Sequence, residues 1–521
     1  MRFEEIVRTS ADVAATPSKR AKVERLAACL AQARPDEVAT AVAYLSGTLP
    51  HGSIGVGWAS LRDVPSATAA PAELEIRDVD ETFRRVGAMS GAGSQTARRE
   101  ALHALFSRAT APEQTFLRGL LTGEIRQGAL EGLMVDAVAR ASDVPVSDVR
   151  RAAMLAGDLG AVAPAAIEGG AEALGRFRLT LLSPIQPMLA RSADDVATAF
   201  ERIRPAAVER KLDGARLQIH RLDDDVRLFT RSLADVTTRA PEIVDAIRAL
   251  PARSIVLDAE AIALRANGRP QPFGVSMSRF GSRNRGDLEH LRDEIPLRAF
   301  AFDILHVDGE DVLDRPASER FAALDARLPT EMRVPRIVTG DTVEAERFLD
   351  DAIARGHEGV MVKSLDAPYE AGRRGGAWIK VKRAHTLDLV VLAAEWGHGR
   401  RQGWLSNLHL GARDPERGGF VMLGKTFKGM TDDVLAWQTE RLLELETHRD
   451  GIAVSVRPEL VVEVTFDGLQ PSPRYPGGLA LRFARIKGYR PDRTPADADT
   501  IDTVRAIHER AIGETDGEAP A

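Results

Sequence analysis

The chain has 521 residues, of which 44% are hydrophobic and 28% are charged, and its formal net charge is −6. This composition is that of a globular protein with enough apolar residues for about three ordinary cores, and it excludes wholesale disorder. Cys29 is the only cysteine, which excludes disulfide bonds and four-thiolate zinc sites and favours a reducing cytoplasm. The first residues lack a signal-peptide core and no apolar run reaches the length of a membrane span, so we expect neither secretion nor membrane insertion.

The first third of the chain is rich in Ala, Leu and Arg and has few strand-like runs. Apolar residues recur there at three- and four-residue spacing, which predicts helices over 19–33, 35–45, 98–108 and 129–140. We therefore predict an all-helical domain over residues 1–180. Two prolines, Pro184 and Pro187, predict an extended linker where the character of the sequence changes and a new domain begins.

Short β-type runs and helical segments alternate between residues 206 and 382. The pattern predicts strands over 215–222, 226–230, 254–264, 298–307 and 359–363. It predicts helices over 317–328 and 345–355. This alternation indicates an α+β domain with a largely antiparallel sheet, which we assign to residues 181–384.

The remainder of the chain has one helical pattern, at 431–446, and otherwise short β-type runs at 387–394, 408–412, 420–422 and 459–466. A five-stranded β-barrel with one inserted helix, of the OB-fold type, is the economical prediction for residues 385–509. The last residues, 510–521, are expected to form a frayed tail.

The segment 209–216, Glu-Arg-Lys-Leu-Asp-Gly-Ala-Arg, is the most informative part of the sequence. It predicts a reactive lysine, Lys211, on a short exposed turn. A lysine amine attacks only when it is uncharged, so its pKa must be lowered by cationic neighbours or by burial, and Arg210 and Arg216 are candidates for the first role. Asp213 could orient the amine. A solvated charged turn is the alternative interpretation of this segment taken alone.

Acidic residues occur in two otherwise apolar strands. Asp258 and Glu260 lie two residues apart, so their side chains project from the same face. Buried carboxylates need a partner, and a divalent metal ion, a ribose hydroxyl or a structural ion pair could supply it. Glu358 stands at the entrance to the other strand. Oxygen donors from the two strands could flank one Mg²⁺.

Lys380 and Lys382 alternate with apolar residues, so both lysines face the same side of a strand. Two ammonium groups on one face would bind a phosphate, and their charge would lower the pKa of Lys211 if the three converge. An edge strand that carries lysines to discourage aggregation is the alternative. Phe302, in an apolar strand, is either a core residue or a platform for a purine.

These segments together resemble the covalent nucleotidyltransferase motifs of the ATP-dependent DNA ligases. The resemblance rests on the order and approximate spacing of five short motifs. The motifs are Glu209-x-Lys211-x-Asp213-Gly214-x-Arg216, Asp258-x-Glu260, Phe302-Asp303, Glu358-Gly359-x-x-Val362-Lys363 and Lys380-x-Lys382. The likeness covers essentially the whole chain and is strongest to the three-domain bacterial enzymes of the type called ligase B. It implies a DNA-binding domain at 1–180, an adenylation (nucleotidyltransferase) domain at 181–384 and an OB-fold domain at 385–509.

The resemblance implies that the chain seals nicks in double-stranded DNA by three phosphoryl transfers. Lys211 would attack the α-phosphorus of ATP to give a lysyl-AMP phosphoramidate and pyrophosphate. AMP would then pass to the 5′-phosphate of the nick, and the adjacent 3′-hydroxyl would expel it. ATP and Mg²⁺ would be the cofactors. Binding would be independent of DNA sequence and made mainly to phosphates, by a monomeric cytoplasmic protein at the bacterial nucleoid.

The same resemblance assigns roles around the nucleotide. The residues expected to bind ATP are Glu209 at the adenine, Phe302 stacked on the base, Glu260 at the ribose or metal, Arg216 and Arg231 at the ribose or nick phosphate, Lys380 and Lys382 at the α-phosphate, and Arg374 at the nucleotide. Mg²⁺ would be held by Glu260 and Glu358.

The basic C-terminal segment resembles the last motif of the family. The residues of this segment that are expected to orient the departing pyrophosphate are Arg482, Arg485, Arg490 and Arg493. The segment departs from the family pattern at two positions: Ala484 stands where many members have proline, and Arg493 stands where many have lysine. A solvated basic face is the alternative for this cluster. Asp388 falls where the family hinges between its ATP-facing and DNA-facing conformations.

Three other classes of protein share part of this pattern. An NAD-dependent ligase would be expected to carry a four-cysteine zinc module, which a single cysteine excludes. An RNA ligase or an mRNA capping enzyme shares the nucleotidyltransferase core, but a long helical domain ahead of it favours duplex DNA. A non-catalytic nick-binding protein that keeps the fold would be expected to have lost the nucleophile, the acids or the lysines, all of which are present.

Overall fold

The structure is a computed structural model that describes the chain apart from residues 53, 63, 66–68, 70, 92, 126, 128–130, 282–291, 293, 371–373, 384 and 513–521. Among the described residues, none of the helices combines the length and the apolar character needed to cross a bilayer.

The N-terminal part of the chain is helical. Its helices are α1 (Phe3–Ala14), α2 (Lys19–Leu30), α3 (Pro35–Leu45), α4 (Ile76–Ala88), α5 (Ser94–Ser107), α6 (Ala111–Thr122), α7 (Glu131–Ser142), α8 (Val146–Ala156) and α9 (Leu159–Leu174). Their apolar faces share one hydrophobic core, in which the rings of Phe3, Tyr44 and Phe83 meet edge to face.

Helical periodicity predicted α2, α3, α5 and α7 to within a few residues, with 129–130 of the last prediction outside the described residues. The helix starts have local causes. The Ser18 hydroxyl accepts a hydrogen bond from the Ala21 N–H at the start of α2, and Pro35 occupies the first position of α3. Helices α1, α4, α6, α8 and α9 were not predicted from the sequence.

The middle of the chain forms two sheets where one was predicted. Its strands are β1 (Leu189–Ala193), β2 (Ala206–Lys211), β3 (Ala215–Leu222), β4 (Asp225–Thr230), β5 (Ser254–Ala263), β6 (Leu297–Val307), β7 (Glu310–Asp311), β8 (Arg336–Thr339), β9 (Gly359–Ser364) and β10 (Arg374–Lys382). The first sheet has the order β1-β10-β9-β2-β8 and the second the order β4-β3-β5-β6-β7. All these pairings are antiparallel except that of β1 with β10.

Helices cover the outer faces of the two sheets. They are α10 (Val196–Phe200), α11 (Pro241–Arg248), α12 (Phe273–Gly281), α13 (Ala317–Arg327) and α14 (Thr342–Ala354). Val208 of β2 packs in a core with Leu349 of α14, and Leu257 of β5 packs in a core with Ile247 of α11. Because side chains alternate along a strand, the residues next to these core positions face the space between the sheets.

The C-terminal part contains more strands than the five predicted. The structure has β11 (His385–Trp396), β12 (Leu405–Arg413), β13 (Phe420–Thr426), β14 (Glu446–Asp450), β15 (Ala453–Val456), β16 (Val461–Phe466), β17 (Gly468–Pro471), β18 (Leu479–Arg482) and β19 (Arg485–Tyr489). The sheet order is β13-β12-β11-β15-β14, and β16 joins β11 to β19. The predicted inserted helix is α15 (Asp432–Glu444).

A further helix, α16 (Ile501–Ile512), follows the strands. Ile501 and Val504 are buried in the core of the barrel. Residues 510–512, which were assigned to the tail, are the last three residues of this helix. The rest of the predicted tail, 513–521, lies outside the described residues.

The linker between the helical part and the first strand is fixed to β3 by buried polar side chains. The backbone N–H of Leu182 donates to Nδ1 of His220 at 3.2 Å, and Nε2 of His220 lies 2.9 Å from Oε1 of Gln218. The Gln218 side chain in turn accepts a hydrogen bond from the Ile185 N–H and donates one to the Ile185 carbonyl oxygen. Burial and the nearby His306 lower the pKa of His220 to about 4. The neutral imidazole, with one nitrogen accepting, is therefore the form that holds the linker.

Stability is expected to depend on the titration of His220. Its pKa in the folded protein lies below the ordinary value of about 6.5, so stability is fully present above that pH and is lost as the pH falls toward 4, by up to about 1.4 kcal/mol per pH unit. Urea unfolding between pH 7.5 and 4.5 should show a shallower loss for His220→Gln than for the wild type. His103→Gln, at an exposed position, should keep the wild-type profile. Parallel profiles for all three proteins would contradict this expectation.

Candidate active site

A cavity of about 530 Å³ lies between the two sheets, within the range of pockets that hold small ligands. The residues predicted from the sequence that line it are Glu209, Lys211, Arg216, Arg231, Glu260, Phe302, Lys380 and Lys382. Side chains from the two sheets, separated by up to about 170 positions in the sequence, therefore meet in one space. The lining also includes residues that the sequence analysis did not select as site residues, among them Leu189, Ala190, Phe273, Met361, Lys363 and Trp378.

Lys211 is the last residue of β2, and the prediction of an exposed turn is wrong for it. Its side chain is 21% exposed and its amine forms an ion pair with the Glu358 carboxylate. The predicted cationic neighbours both line the cavity, but each is paired with another carboxylate: Arg210 with Asp351 at 2.8 Å and Arg216 with Asp258. Residues adjacent in a strand point to opposite faces, which explains why the Arg210 guanidinium pairs with Asp351.

The turn after Lys211 brings the backbone against β5. A Cβ on Gly214 would lie 2.2 Å from the carbonyl oxygen of Ala261, so only glycine fits this approach. The Gly214 N–H donates to Oε1 of Glu260 at 3.0 Å. Burial raises the pKa of Glu260 to about 7, against the opposing effects of Lys211 and Arg216. Glu260 is thus held at the cavity with one oxygen occupied by the turn.

Glu209 is clamped between two cations. Its Oε1 lies 2.7 Å from Nε of Arg336 and its Oε2 lies 2.5 Å from Nζ of Lys363. The side chains of Glu209 and Lys363 are each 1% exposed. Burial lowers the pKa of Lys363, and the Glu209 carboxylate opposes that effect. Glu209 is therefore a fixed hydrogen-bond acceptor in the wall of the cavity.

Aromatic rings form another part of the wall. Phe302 and Trp378 meet edge to face with their centroids 5.8 Å apart. The Lys363 amine lies 4.6 Å from the Phe302 centroid and 4.4 Å from that of Trp378, and it donates to the Phe302 carbonyl oxygen. Phe302 is partly buried and lines the cavity, so its ring is accessible to a ligand as well as part of the packing.

Two lysines of β10 face the cavity together. β10 lies between β1 and β9, which excludes the alternative that Lys380 and Lys382 are on an edge strand. Lys382 bonds Oε1 of Glu358 at 2.9 Å and Oδ2 of Asp467 at 3.1 Å. Burial and the charges of Lys382 and Lys211 lower the pKa of Lys380. Although burial opposes it, the contact with both lysines lowers the pKa of Glu358.

Two further arginines, Arg231 and Arg374, were predicted to contact the nucleotide. Arg231 follows β4, is exposed and lines the cavity. Arg374 is the first residue of β10, and its side chain lies outside the description, as does all of Arg373.

The C-terminal arginines separate into two groups. Nη1 of Arg482 lies 3.2 Å from Oδ2 of Asp213, and its guanidinium lies over the ring of Phe273 at 5.1 Å. Arg482 thus contacts, from the C-terminal part of the chain, the cavity-lining residue Phe273. Asp213, which was expected to orient the Lys211 amine, is the partner of this arginine.

Arg490 and Arg493 instead contact Asp388, at 3.3 and 3.7 Å. Arg485 is exposed on β19 and is not among the residues lining the cavity. Asp388, expected at a hinge, lies within β11, where it is paired with Glu463 of β16. The resemblance assigned these arginines to the pyrophosphate when the OB domain closes, and that role stays a prediction.

An amine at the end of a strand, beside carboxylates and further lysines in a cavity of this size, fits the active site of a covalent nucleotidyltransferase. Three parts of the chain match known domain families: "ATP dependent DNA ligase domain" at 187–382, "ATP dependent DNA ligase C terminal region" at 401–493 and "DNA ligase N terminus" at 59–139.

Two proteins of similar sequence match this chain over almost their whole length. A "Probable DNA ligase" of Anaeromyxobacter dehalogenans strain 2CP-1 is 59% identical, covering 98% of this chain and 100% of that protein. One of Mycolicibacterium gilvum strain PYR-GCK is 58% identical, covering 97% and 99%. The solved structure titled "Pmar-Lig_PreS3" has the same fold, with a TM-score of 0.61 and 19% identity over 93% of this chain and 99% of that one.

The chain therefore belongs to the ATP-dependent DNA ligases. It is an enzyme that uses ATP to seal nicks in DNA, and its nucleotidyltransferase and OB-fold domains are those of this family.

Proposed function

We propose that Lys211 is the nucleophile through which this ligase is adenylylated. The observation that carries the proposal is the position of its amine in the cavity, beside Glu358 and near Lys380 and Lys382. The ammonium loses a proton to solvent, its nitrogen forms a bond to the α-phosphorus of ATP as the bond from that phosphorus to pyrophosphate breaks, and the nitrogen then loses a second proton to solvent to give the neutral phosphoramidate. The covalent intermediate divides one difficult condensation into easier displacements.

The other cavity residues bind the nucleotide in this proposal. The carboxylate of Glu209, whose two oxygens are both hydrogen-bond acceptors, accepts a hydrogen bond from the amino group of adenine. Phe302 stacks on the base. Arg216 and Glu260 lie at the ribose, while Lys380 and Lys382 hold the α-phosphate. Arg231, an exposed residue that lines the cavity, contacts the ribose or the nick phosphate, and Arg374 is assigned to the nucleotide by the family resemblance.

Mg²⁺ is the proposed metal cofactor, with Glu260 and Glu358 as its protein ligands. Among the described residues, no three His, Cys, Asp or Glu side chains are grouped to hold a metal ion. Mg²⁺ is commonly bound by one or two carboxylates together with substrate phosphates. Glu260, which lines the cavity, and Glu358, which pairs with the cavity residues Lys211 and Lys382, therefore fit a metal that arrives with ATP. When bound it would neutralise charge on the phosphates.

We assign residues 1–180 to a DNA-binding domain, residues 181–384 to an adenylation domain and residues 385–509 to an OB-fold domain. Residues 510–521 form the C-terminal tail of this assignment. Arg482 orients the pyrophosphate, supported by its contact with Asp213 two residues beyond Lys211. Arg485, Arg490 and Arg493 take that role only after the barrel moves, with Asp388 at the pivot. The protein acts as a monomer on nicked duplex of any sequence, because phosphate contacts carry no base information.

The proposal is tested by incubating the protein with α-³²P-ATP and Mg²⁺ and then adding unlabelled nicked duplex DNA. We expect label on the protein in a denaturing gel, and its loss on the chase as sealed product appears. Nicks with RNA on either strand should be sealed poorly, since the helical domain is assigned to duplex DNA. Absence of label on the protein with active enzyme would exclude the covalent intermediate.

A further inference from the structure

Tyr369 is a buried tyrosine between β9 and β10 whose hydroxyl lies behind the cavity. The hydroxyl donates to Oδ2 of Asp258 at 2.8 Å and accepts from the backbone N–H of Met188 at 3.0 Å. Nη2 of Arg216 is 3.4 Å away. The Tyr369 ring meets Trp378 edge to face, with centroids 5.9 Å apart. One phenol therefore joins the linker, a buried carboxylate and two residues of the cavity wall.

Met188 is held at both of its backbone groups. Its N–H donates to Tyr369, and its carbonyl oxygen accepts from Nη1 of Arg216 at 2.7 Å. The next two residues of the chain, Leu189 and Ala190, line the cavity. The position of this part of the cavity wall is thus set by two side chains that lie 28 and 181 residues further along the sequence.

The other end of this linker is attached to the helical domain. The Gln186 N–H donates to the Met154 carbonyl oxygen at 2.9 Å, and its side-chain amide donates to that of Gly157 at 2.8 Å. Met154 and Ile185 share a small hydrophobic core with Tyr369. The helical domain and the cavity wall are therefore connected through about ten residues of chain that are bonded on both sides.

We propose that Tyr369 is a positioning residue for the adenylylation of Lys211, acting through Arg216 and the linker wall at Leu189 and Ala190. The inference rests on the proposed function, which places ATP in this cavity. A hydroxyl suits the role because it donates and accepts at once, matching Asp258 on one side and the Met188 N–H on the other. Burial and Asp258 keep the phenol protonated by raising its pKa.

Tyr369→Phe removes this hydroxyl without opening a cavity. We expect the half-saturating ATP concentration for protein labelling to rise about tenfold, the order of one lost buried hydrogen bond, while the limiting rate is unchanged. The rate is spared because the phenol is not at the reacting phosphorus. Tyr44→Phe, at a buried tyrosine of the helical core, is the matched control and should label as the wild type does.

A double variant separates positioning from general damage. If Tyr369 acts through Arg216, then Tyr369→Phe combined with Arg216→Lys should raise the half-saturating ATP concentration by less than the product of the single effects. An unchanged ATP dependence in Tyr369→Phe, or a lower limiting rate with unchanged ATP dependence, would overturn the inference. Labelling of the wild type at Lys211 would still stand, whereas failure of that labelling would remove the proposed function itself.

Gln186→Leu provides a test that leaves the phenol in place, in case Tyr369→Phe does not fold. It removes the bond to the Gly157 carbonyl on the far side of the linker. We expect a rise of about threefold in the half-saturating ATP concentration, with thermal unfolding monitored alongside. An ATP dependence equal to that of the wild type would count against coupling between the linker and the cavity.

Discussion

Replacing Lys211 with alanine is expected to abolish labelling of the protein by α-³²P-ATP, a loss of about 10⁴-fold or more. The amine supplies the atom that would bond to phosphorus. The other lysines that line the cavity are Lys363 of β9, which pairs with Glu209, and Lys380 and Lys382 of β10, which are assigned to the phosphate. The measurement is a denaturing gel after incubation with ATP and Mg²⁺.

Two controls sharpen this result. Lys19→Ala, at an exposed lysine of the helical part, should label normally. Lys211→Ala should still seal a nick whose 5′-phosphate already carries AMP, because the 3′-hydroxyl is the nucleophile in that step. Label retained by Lys211→Ala would show that another residue is adenylylated.

Replacing Glu209 with glutamine is expected to lower the free energy of unfolding by about 3 kcal/mol or more at pH 7. The change leaves Arg336 and Lys363, which are 10% and 1% exposed, without their shared counter-ion. Removing one partner from a buried ion pair is costly because the remaining charge stays desolvated. The loss should shrink as the pH approaches the ordinary lysine value of about 10.4, because an unpaired buried Lys363 can release its proton.

Urea unfolding of the wild type and variant at pH 7 and pH 9.5 measures this effect. Asp223→Asn is the matched control, since it breaks the pair with Arg253 in which the side chains are 56% and 81% exposed. That change should cost at most about 1 kcal/mol. Equal losses for the two variants would mean that the buried cluster around Glu209 gives no special stabilisation.

Much of the fold follows from local pattern. The strand predicted at 215–222 has the same limits as β3, and the helix predicted at 35–45 has those of α3. Periods of two and 3.6 residues are properties of short segments, so they can be read without knowing what a segment packs against. The order of short motifs identified the family for the same reason, because each motif is contiguous in the chain.

The errors have a common physical origin. Arg210 was expected to act on Lys211 because the two are adjacent, but in a strand adjacent side chains face opposite ways and Arg210 meets Asp351 instead. Arg336, which fixes Glu209, is 127 residues away and belongs to no recognised motif. Contacts of this kind depend on sheet register, which periodicity does not determine.

The short strands of the barrel were missed for a related reason. Residues 446–450, which form β14, are Glu-Thr-His-Arg-Asp, a charged and largely exposed run. Such a segment has little intrinsic strand preference, and its pairing with β15 supplies the backbone hydrogen bonds. The pairing of β14 with β15, and not the strand preference of its own residues, therefore determines that this segment is a strand.

Lys382 touches carboxylates from two different parts of the chain, Glu358, which also pairs with Lys211, and Asp467, which follows β16 of the C-terminal part. In the proposed function this ammonium holds the α-phosphate of ATP, and an anion that displaced Asp467 from it would remove a contact with the C-terminal part. Under that proposal the binding of ATP and the placement of the C-terminal part are linked equilibria, and each changes the other by the same factor.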